Sequence, residues 1–269
     1  MYKLIAMDFD GTLLTTDKKV TDYTKKVLLE LKQLNYIIVG VTARTLDSVK
    51  SVADINMFDY LILNNGGYIY DIKNNSGEYQ GIISLKDYTS ITDSLKDLSK
   101  RIDYCSKNFY YYYQETLGDE RPFIKRITSL DEINEKILRM NIHISNEDTM
   151  DYCLDLITNN YKDLKCFIME DSDNAGKWLV VSPRNVDKGI SLEKLGNKLK
   201  INTSEMIFFG DGPNDLEVIK LVGCGVAMFN AIDIIKSEAK YITLSNDQDG
   251  VAVFLENNLL KNSLTISKF

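Results

Sequence analysis

Near-continuous apolar runs of strand length alternate with amphipathic helical stretches at both ends of this chain, a pattern satisfied by a parallel sheet covered by helices on both faces. From the N-terminus the order is "KLIAMDF", "TKKVLLELKQL", "YIIVGVT", "TLDSVKSVADI" and "DYLILNN", read as strand, helix, strand, helix, strand. In the first helix Val27, Leu28, Leu31 and Leu34 form one apolar stripe. The same alternation returns in "ISLEKLGNKLK", "EMIFFGD", "DLEVIKLV", "CGVAM", "AIDIIKSEA" and "YITL". Both ends therefore belong to one doubly wound, mostly parallel Rossmann-like α/β core, over residues 1–81 and 186–269.

Residues 82–185 follow a different pattern, expected to be an inserted α+β cap domain. Helical stretches are predicted near "SITDSLKDLSKRI", "SLDEINEKIL" and "TMDYCLDLITNN", and strands in "NFYYYYQET", "MNIHIS" and the two halves of "KCFIMEDSDNAGKWLVVS". "DSDNAG" (Asp171 to Gly176) begins like a calcium loop. Ala175 stands at a ligand position, however, and Ser182 where a bidentate Glu belongs, so a hairpin turn is the reading. The tyrosines 110–113 read as a buried strand, because alternate side chains leave opposite faces.

Composition closes several routes. With 44% hydrophobic and 26% charged residues the 269-residue chain is expected to fold fully, and a net charge of −7 argues against a nucleic-acid partner. No apolar run approaches the roughly 18 residues of a membrane span, and no signal-peptide pattern opens the chain. A cytoplasmic protein with no membrane partner and no obligate protein partner is expected. The four cysteines lack metal-ligand spacing, and the single histidine, His143, sits in a strand pattern as an incidental half-buried residue. The chemistry should be that of carboxylates and lysine.

Four segments fall at the carboxyl ends of predicted parallel strands, where open α/β sheets bind ligands: "DFDGT", "VTAR", "NNGG" and "GDGPND". They bring Asp8, Asp10, Asp211 and Asp215 together, as many as four carboxylates, which repel unless a cation neutralises them. An all-oxygen ligand set selects a hard ion, and Mg2+ with open positions suits phosphoryl transfer. Asp8, at a strand end, is the expected nucleophile, forming an aspartyl-phosphate. Asp10, two residues on and on the same side if the extended backbone persists, is the expected general acid and base. Gly11 allows a tight turn, Thr42 offers its hydroxyl and helix-start amides to phosphate, and Lys188 supplies a fixed positive charge.

In this order and spacing, "DFDGTLL", the Thr of "VTAR", the Lys of "DKG" and "GDGPND" resemble the four signature motifs of the haloacid dehalogenase-like phosphatase superfamily. The large insertion and "NNGGYIY" resemble its Cof-type branch of sugar-phosphate phosphatases. The resemblance implies Asp8 as nucleophile and Asp10 as acid and base. Phe9, Thr42, Ala43, Lys188 and Asn214 would lie at the phosphate or substrate. Asp8, the Asp10 carbonyl and Asp211 would bind Mg2+, with Asp215 as a supporting ligand. Two positions depart from the pattern: Ala43 replaces the usual Gly, and Gly67 stands where many relatives have Ala.

The function expected is hydrolysis of a small phosphorylated metabolite, a sugar phosphate or related phosphomonoester. A phosphotransferase or phosphomutase would share the chemistry. A non-enzymatic phospho-acceptor switch would need neither the insertion nor an acid two residues after the nucleophile. Tyr113, Arg121 and Lys125 are candidate substrate contacts in the insertion.

Overall fold

The computed structural model describes residues 1–113, 120–144, 146–170 and 177–261. In chain order the first stretch contains β1 (Leu4–Met7), α1 (Asp22–Gln33), β2 (Ile37–Val41), α2 (Leu46–Lys50), β3 (Tyr60–Leu63), β4 (Tyr68–Asp71) and β5 (Ser76–Tyr79). The middle holds α3 (Leu85–Leu95), β6 (Ser99–Ser106), β7 (Tyr110–Tyr113), β8 (Ile124–Ile127), β9 (Ile137–Ile144), α4 (Glu147–Asn160), β10 (Leu164–Glu170) and β11 (Lys177–Pro183). The last stretch supplies α5 (Lys188–Leu199), β12 (Met206–Gly210), α6 (Leu216–Leu221), β13 (Cys224–Ala227), α7 (Asp233–Glu238), β14 (Tyr241–Ile242) and α8 (Gly250–Leu255). Contacts divide the chain into two units, 1–43 with 50–78 and 187–269, and 44–49 with 79–186.

The first unit is built on an eight-stranded sheet ordered β14-β13-β12-β1-β2-β3-β4-β5. Its strands run parallel from β14 to β3, and β4 then returns antiparallel to β3. That return follows from "NNGG": Asn64, Asn65 and Gly66 all take positive φ (51°, 52° and 102°) and reverse the chain. The β4 and β5 strands were not foreseen in the sequence.

In the middle of this sheet β1 lies between β2 and β12, all three buried, so that the carboxyl ends of three neighbouring strands open side by side. Phe9 caps the core beneath them. Its ring rests on Gly40, where a Cβ would come within 2.6 Å of it, and lies 5.5 Å from Phe58.

The second unit has a six-stranded sheet, β10-β11-β9-β6-β7-β8, antiparallel except for the parallel β7–β8 pair. One face packs on α3 and α4 through Ile91, Leu95, Cys153 and Ile157 against Ile102, Tyr104, Met140 and Leu179. The tyrosine strand alternates as expected: Tyr111 belongs to this core, while Tyr110 and Tyr112 neighbour each other on the opposite face.

Two helices expected in the insertion are corrected. "SITDSLKDLSKRI" is helical only to Leu95, and from Ser99 the chain is β6. "SLDEINEKIL" yields one 3-10 turn, Leu130–Glu132, closed by a Ser129–Glu132 capping box, before β9 begins at Ile137. The physical reason is tertiary: β6 and β9 pair with each other at the centre of the sheet, and ladder hydrogen bonds with two-sided burial override a weak helical preference. In the first unit "TLDSVKSVADI" similarly shortens to α2 and a 3-10 turn at Ile55–Met57 capped by Asp54. The expected "DSDNAG" turn lies outside the described residues; the strands before and after it pair antiparallel from Glu170↔Lys177. No helix among the described residues is long and apolar enough to cross a membrane.

Candidate active site

Asp8 follows directly on β1, and its amide still donates to Phe209 of the neighbouring strand at 3.0 Å. The ladder then ends. Thr12 and Leu14 donate to the Phe9 carbonyl, Leu13 donates to that of Asp8, and Gly11 takes φ 77°, so the chain turns sharply after Asp8. The extended backbone on which Asp10 was expected to share Asp8's side is therefore not kept. Asp10 stands outside the carboxylate cluster, half exposed, with its carboxylate accepting from Lys18 Nζ at 2.9 Å. Three carboxylates converge rather than four: Asp8, Asp211 and Asp215 each offer an oxygen within 4.8 Å of the others.

The cation that holds two of them, Asp8 and Asp215, is Lys188. Asp187 caps α5 by accepting from Ile190 N at 2.7 Å, which places Lys188 at the first helical position, buried to 1% exposure. Its ammonium bridges Asp8 Oδ1 at 2.9 Å and Asp215 Oδ1 at 2.7 Å. The other oxygen of Asp215 accepts from the amides of Asp211 and Gly212 at 3.0 and 3.1 Å, which shapes the "GDGPND" turn. Asp215 is thus engaged at both oxygens. Asp211 accepts from the Thr12 hydroxyl through Oδ1 at 2.6 Å, and no hydrogen bond reaches its Oδ2 or Asp8 Oδ2 among the described residues.

These two open oxygens, from separate carboxylates in one buried cluster, fit a hard divalent cation; the donor set contains no thiol or imidazole. Burial, then the charges of Asp215 and Asp211, raises the Asp8 carboxyl to about 8 despite Lys188. Burial also lifts Asp211 to about 6, against the Thr12 hydrogen bond. Lys188 loses some proton affinity to burial, but Asp215 and Asp8 outweigh that and hold it above the ordinary lysine range. Three carboxylates sharing one ammonium leave net negative charge that a bound cation would relieve.

The remaining sequence-derived residues are distributed as follows. Thr42 is buried, but its amide is spent on Ile62 O at 2.8 Å, and α2 starts only at Leu46, so Thr42 brings no helix-start amide of its own. Ala43 is half buried in the turn after β2. The Phe9 side chain belongs to the core, which leaves only its backbone for phosphate. Asn214 is exposed and donates to Asn65 Oδ1 at 3.1 Å, linking "GDGPND" to "NNGG". "NNGG" is itself fixed to α5, where Ser191 donates to Gly66 O at 2.7 Å and a Cβ on Gly66 would lie 2.2 Å from Asp187 O.

Sequence reading missed three contributors. Thr12 sits inside a motif already singled out, and its place beside two aspartates was the available signal. Asn230, which donates to Gly11 O at 2.7 Å, and Asn246, which donates to Leu14 O at 2.9 Å, lie far along the chain with no local signature. Gly11 is the most constrained of the turn residues. A Cβ there would meet Asp211 Oδ2 at 2.2 Å in a left-handed backbone. Gly11→Ala is therefore expected to push the Asp211 carboxylate aside and to weaken the binding of any divalent cation held there about tenfold, with a strain cost of about 1 kcal/mol. A metal-binding titration and a thermal melt check both.

The arrangement is a phosphoryl-transfer constellation: a buried carboxylate on a rigid strand end, a fixed ammonium, and open oxygens for a cation. Residues 5–255 match the family of haloacid dehalogenase-like hydrolases, and the chain belongs to that family, in its Cof-type branch, as a phosphoric monoester hydrolase. Among similar proteins is the 5-amino-6-(5-phospho-D-ribitylamino)uracil phosphatase YitU of Bacillus subtilis, 28% identical over 266 residues that cover 94% of this chain and 96% of that one. An HMP-PP phosphatase of Yersinia pseudotuberculosis is 28% identical over 294 residues, covering 99% of each chain. A solved haloacid dehalogenase-like hydrolase from Bacteroides thetaiotaomicron shares the fold with a TM-score of 0.79 at 24% identity, over 96% of this chain and 99% of that chain.

Proposed function

We propose that this enzyme hydrolyses a small phosphorylated metabolite, a sugar phosphate or related phosphomonoester, with Mg2+ and through an aspartyl-phosphate on Asp8. The observation that carries the reading is the Lys188 bridge: one ammonium holds Asp8 by a single oxygen and leaves Oδ2 open on a strand end. In this reading Asp8 attacks phosphorus, and Lys188, with Thr42, Asn214 and the backbone around Phe9 and Ala43, holds the phosphoryl oxygens. Asp10 protonates the leaving oxygen and later takes the proton of the hydrolytic water. Asp8, Asp211 and the Asp10 carbonyl would hold the cation, with Asp215 supporting them; its chemistry there is charge neutralisation and polarisation of the phosphoryl group. The 82–185 insertion serves as the cap domain that selects the substrate. The relatives named for phosphatase activity on small phosphorylated compounds support the same class.

The direct test is phosphate release from an aryl phosphate with and without Mg2+; chelation is expected to abolish it, and turnover surviving chelation would reject the metal. Transfer to added sugars in place of phosphate release would instead favour the phosphotransferase. Asp10→Asn is expected to cut turnover by about 100-fold or more while Mg2+ binding is mostly kept, because its ligand would be a backbone carbonyl. A variant that loses only metal affinity would contradict that role.

A stability prediction follows from the raised carboxyls. The folded protein retains protons on Asp8 and Asp211 that the unfolded chain releases near pH 4, so without metal its stability falls as pH rises through about 6 and about 8. Lys188 does not change this window, because it is protonated in both states until far higher pH. Added Mg2+ should therefore raise the thermal midpoint more at pH 8.5 than at pH 5.5. An equal increase at both would overturn the electrostatic account.

A further inference from the structure

One face of the second sheet packs on α3 and α4, and the other carries charged residues that the Asp8 chemistry does not use. Arg101, on β6, is fully accounted for. It ion-pairs with Asp103 at 2.7 Å and stacks over the rings of Tyr112 and Trp178 at 4.2 and 4.7 Å.

Arg139, on the adjacent β9, is not. It is 5% exposed, and among the described residues no carboxylate lies within ion-pairing distance of it. Among the described residues its Nη2 donates to the Cys105 sulfur alone, at 3.6 Å, and its buried Nε has no hydrogen-bond partner. Burial keeps the Cys105 thiol protonated, although Arg139 opposes this, so the sulfur is a poor counter-ion. Two residues on and facing the same way, Asn141 is 9% exposed, donates through Nδ2 to that sulfur at 3.6 Å, and leaves a buried Oδ1 with no donor among the described residues. A buried guanidinium without a counter-charge, beside an unused acceptor, is costly for a purely structural pair.

We propose that Arg139 and Asn141 form a recognition site for a small organic anion that carries a hydroxyl beside its charged group. The anion accepts from Arg139, and the hydroxyl donates to Asn141 Oδ1. Same-face neighbours on a strand are separated by about 7 Å, which suits a carboxylate or phosphate with a hydroxyl on the next carbon. The site lies wholly within the second unit and does not rest on the phosphatase reading. Its anion belongs either to the molecule that is dephosphorylated or to a separate metabolite.

The test uses the intact protein with Mg2+ and compares hydrolysis of 6-phosphogluconate, a hydroxy acid, with that of glucose 6-phosphate. Calorimetry with gluconate, which carries no phosphate, runs alongside. If the anion is part of the substrate, kcat/KM is expected to favour 6-phosphogluconate by at least about tenfold, and Arg139→Met should bring the ratio near one. If the ligand is separate, gluconate binds without that preference, and Arg139→Met removes the binding. Arg139→Lys should recover part of either effect. Asn141→Asp supplies the missing counter-charge and should abolish both, and it carries the test if Arg139→Met does not fold. Absence of both preference and gluconate binding in the natural protein, or their survival in Asn141→Asp, overturns the proposal. Should no phosphate ester be hydrolysed, the phosphatase reading fails while the gluconate arm still decides this one.

Discussion

Asp8→Asn is expected to lower turnover of an aryl phosphate by about 10,000-fold or more, the scale seen when an enzyme loses its nucleophile. The substitution is nearly isosteric, and the amide retains one oxygen to accept from Lys188, so the fold should survive. What disappears is the open Oδ2, which has no hydrogen-bond partner among the described residues and is the atom that the proposed mechanism uses for attack. Removing one of three crowded carboxylates should also lessen the negative charge gathered in the cluster, so the metal-free variant is expected to be at least as stable as the parent. Acid-quench trapping of phosphoprotein from the parent, and none from the variant, would establish the covalent step. A variant retaining most of its turnover would show that water attacks directly and that Asp8 serves another purpose.

Lys188→Met should have the second-largest effect, and it should act on both stability and catalysis. The ammonium is buried to 1% exposure and is the one cation bridging Asp8 and Asp215 in their described surroundings. Removing it strands two buried carboxylates, and losing one partner of such an arrangement costs about 3–5 kcal/mol. Part of that cost can be escaped by protonating Asp8, whose carboxyl already sits high at about 8. The loss in thermal midpoint should therefore be smaller at pH 5.5 than at pH 8.5, and Mg2+ should recover some of it. Turnover is expected to drop by about 1,000-fold even with saturating metal, because the fixed charge proposed to hold the phosphoryl oxygens would be gone. If the melting point barely changed at either pH, Lys188 would not be the buried counter-ion described above.

The convergence of Asp8, Asp211 and Asp215 was legible because turn chemistry and strand ends are local. "DFDGT" and "GDGPND" each place aspartates beside a glycine directly after an apolar run, and parallel neighbours such as β1 and β12 then bring them together. The placement of Asp10 was less legible. Its expected direction assumed that the strand continues past Asp8, whereas backbone bonds to the Phe9 carbonyl and the left-handed Gly11 end it there. Helix preference in "SKRI" and "EKIL" misled for a different reason, since pairing of β6 with β9 determines those residues and joins segments that no short window contains.

By itself the sequence determined the alternating α/β core, the strand ends where carboxylates gather and the lysine that re-enters that core, because apolar periodicity and glycine turns operate over a few residues. Tertiary structure alone decided which charges are compensated. Lys188 reaches Asp215 across 27 positions and Thr12 reaches Asp211 across 199, while Arg101 receives a carboxylate and Arg139 receives none among the described residues. Counter-ions and sheet partners are chosen by proximity in space. Burial then amplifies each choice, because a charge removed from water depends on the few groups that the fold sets beside it.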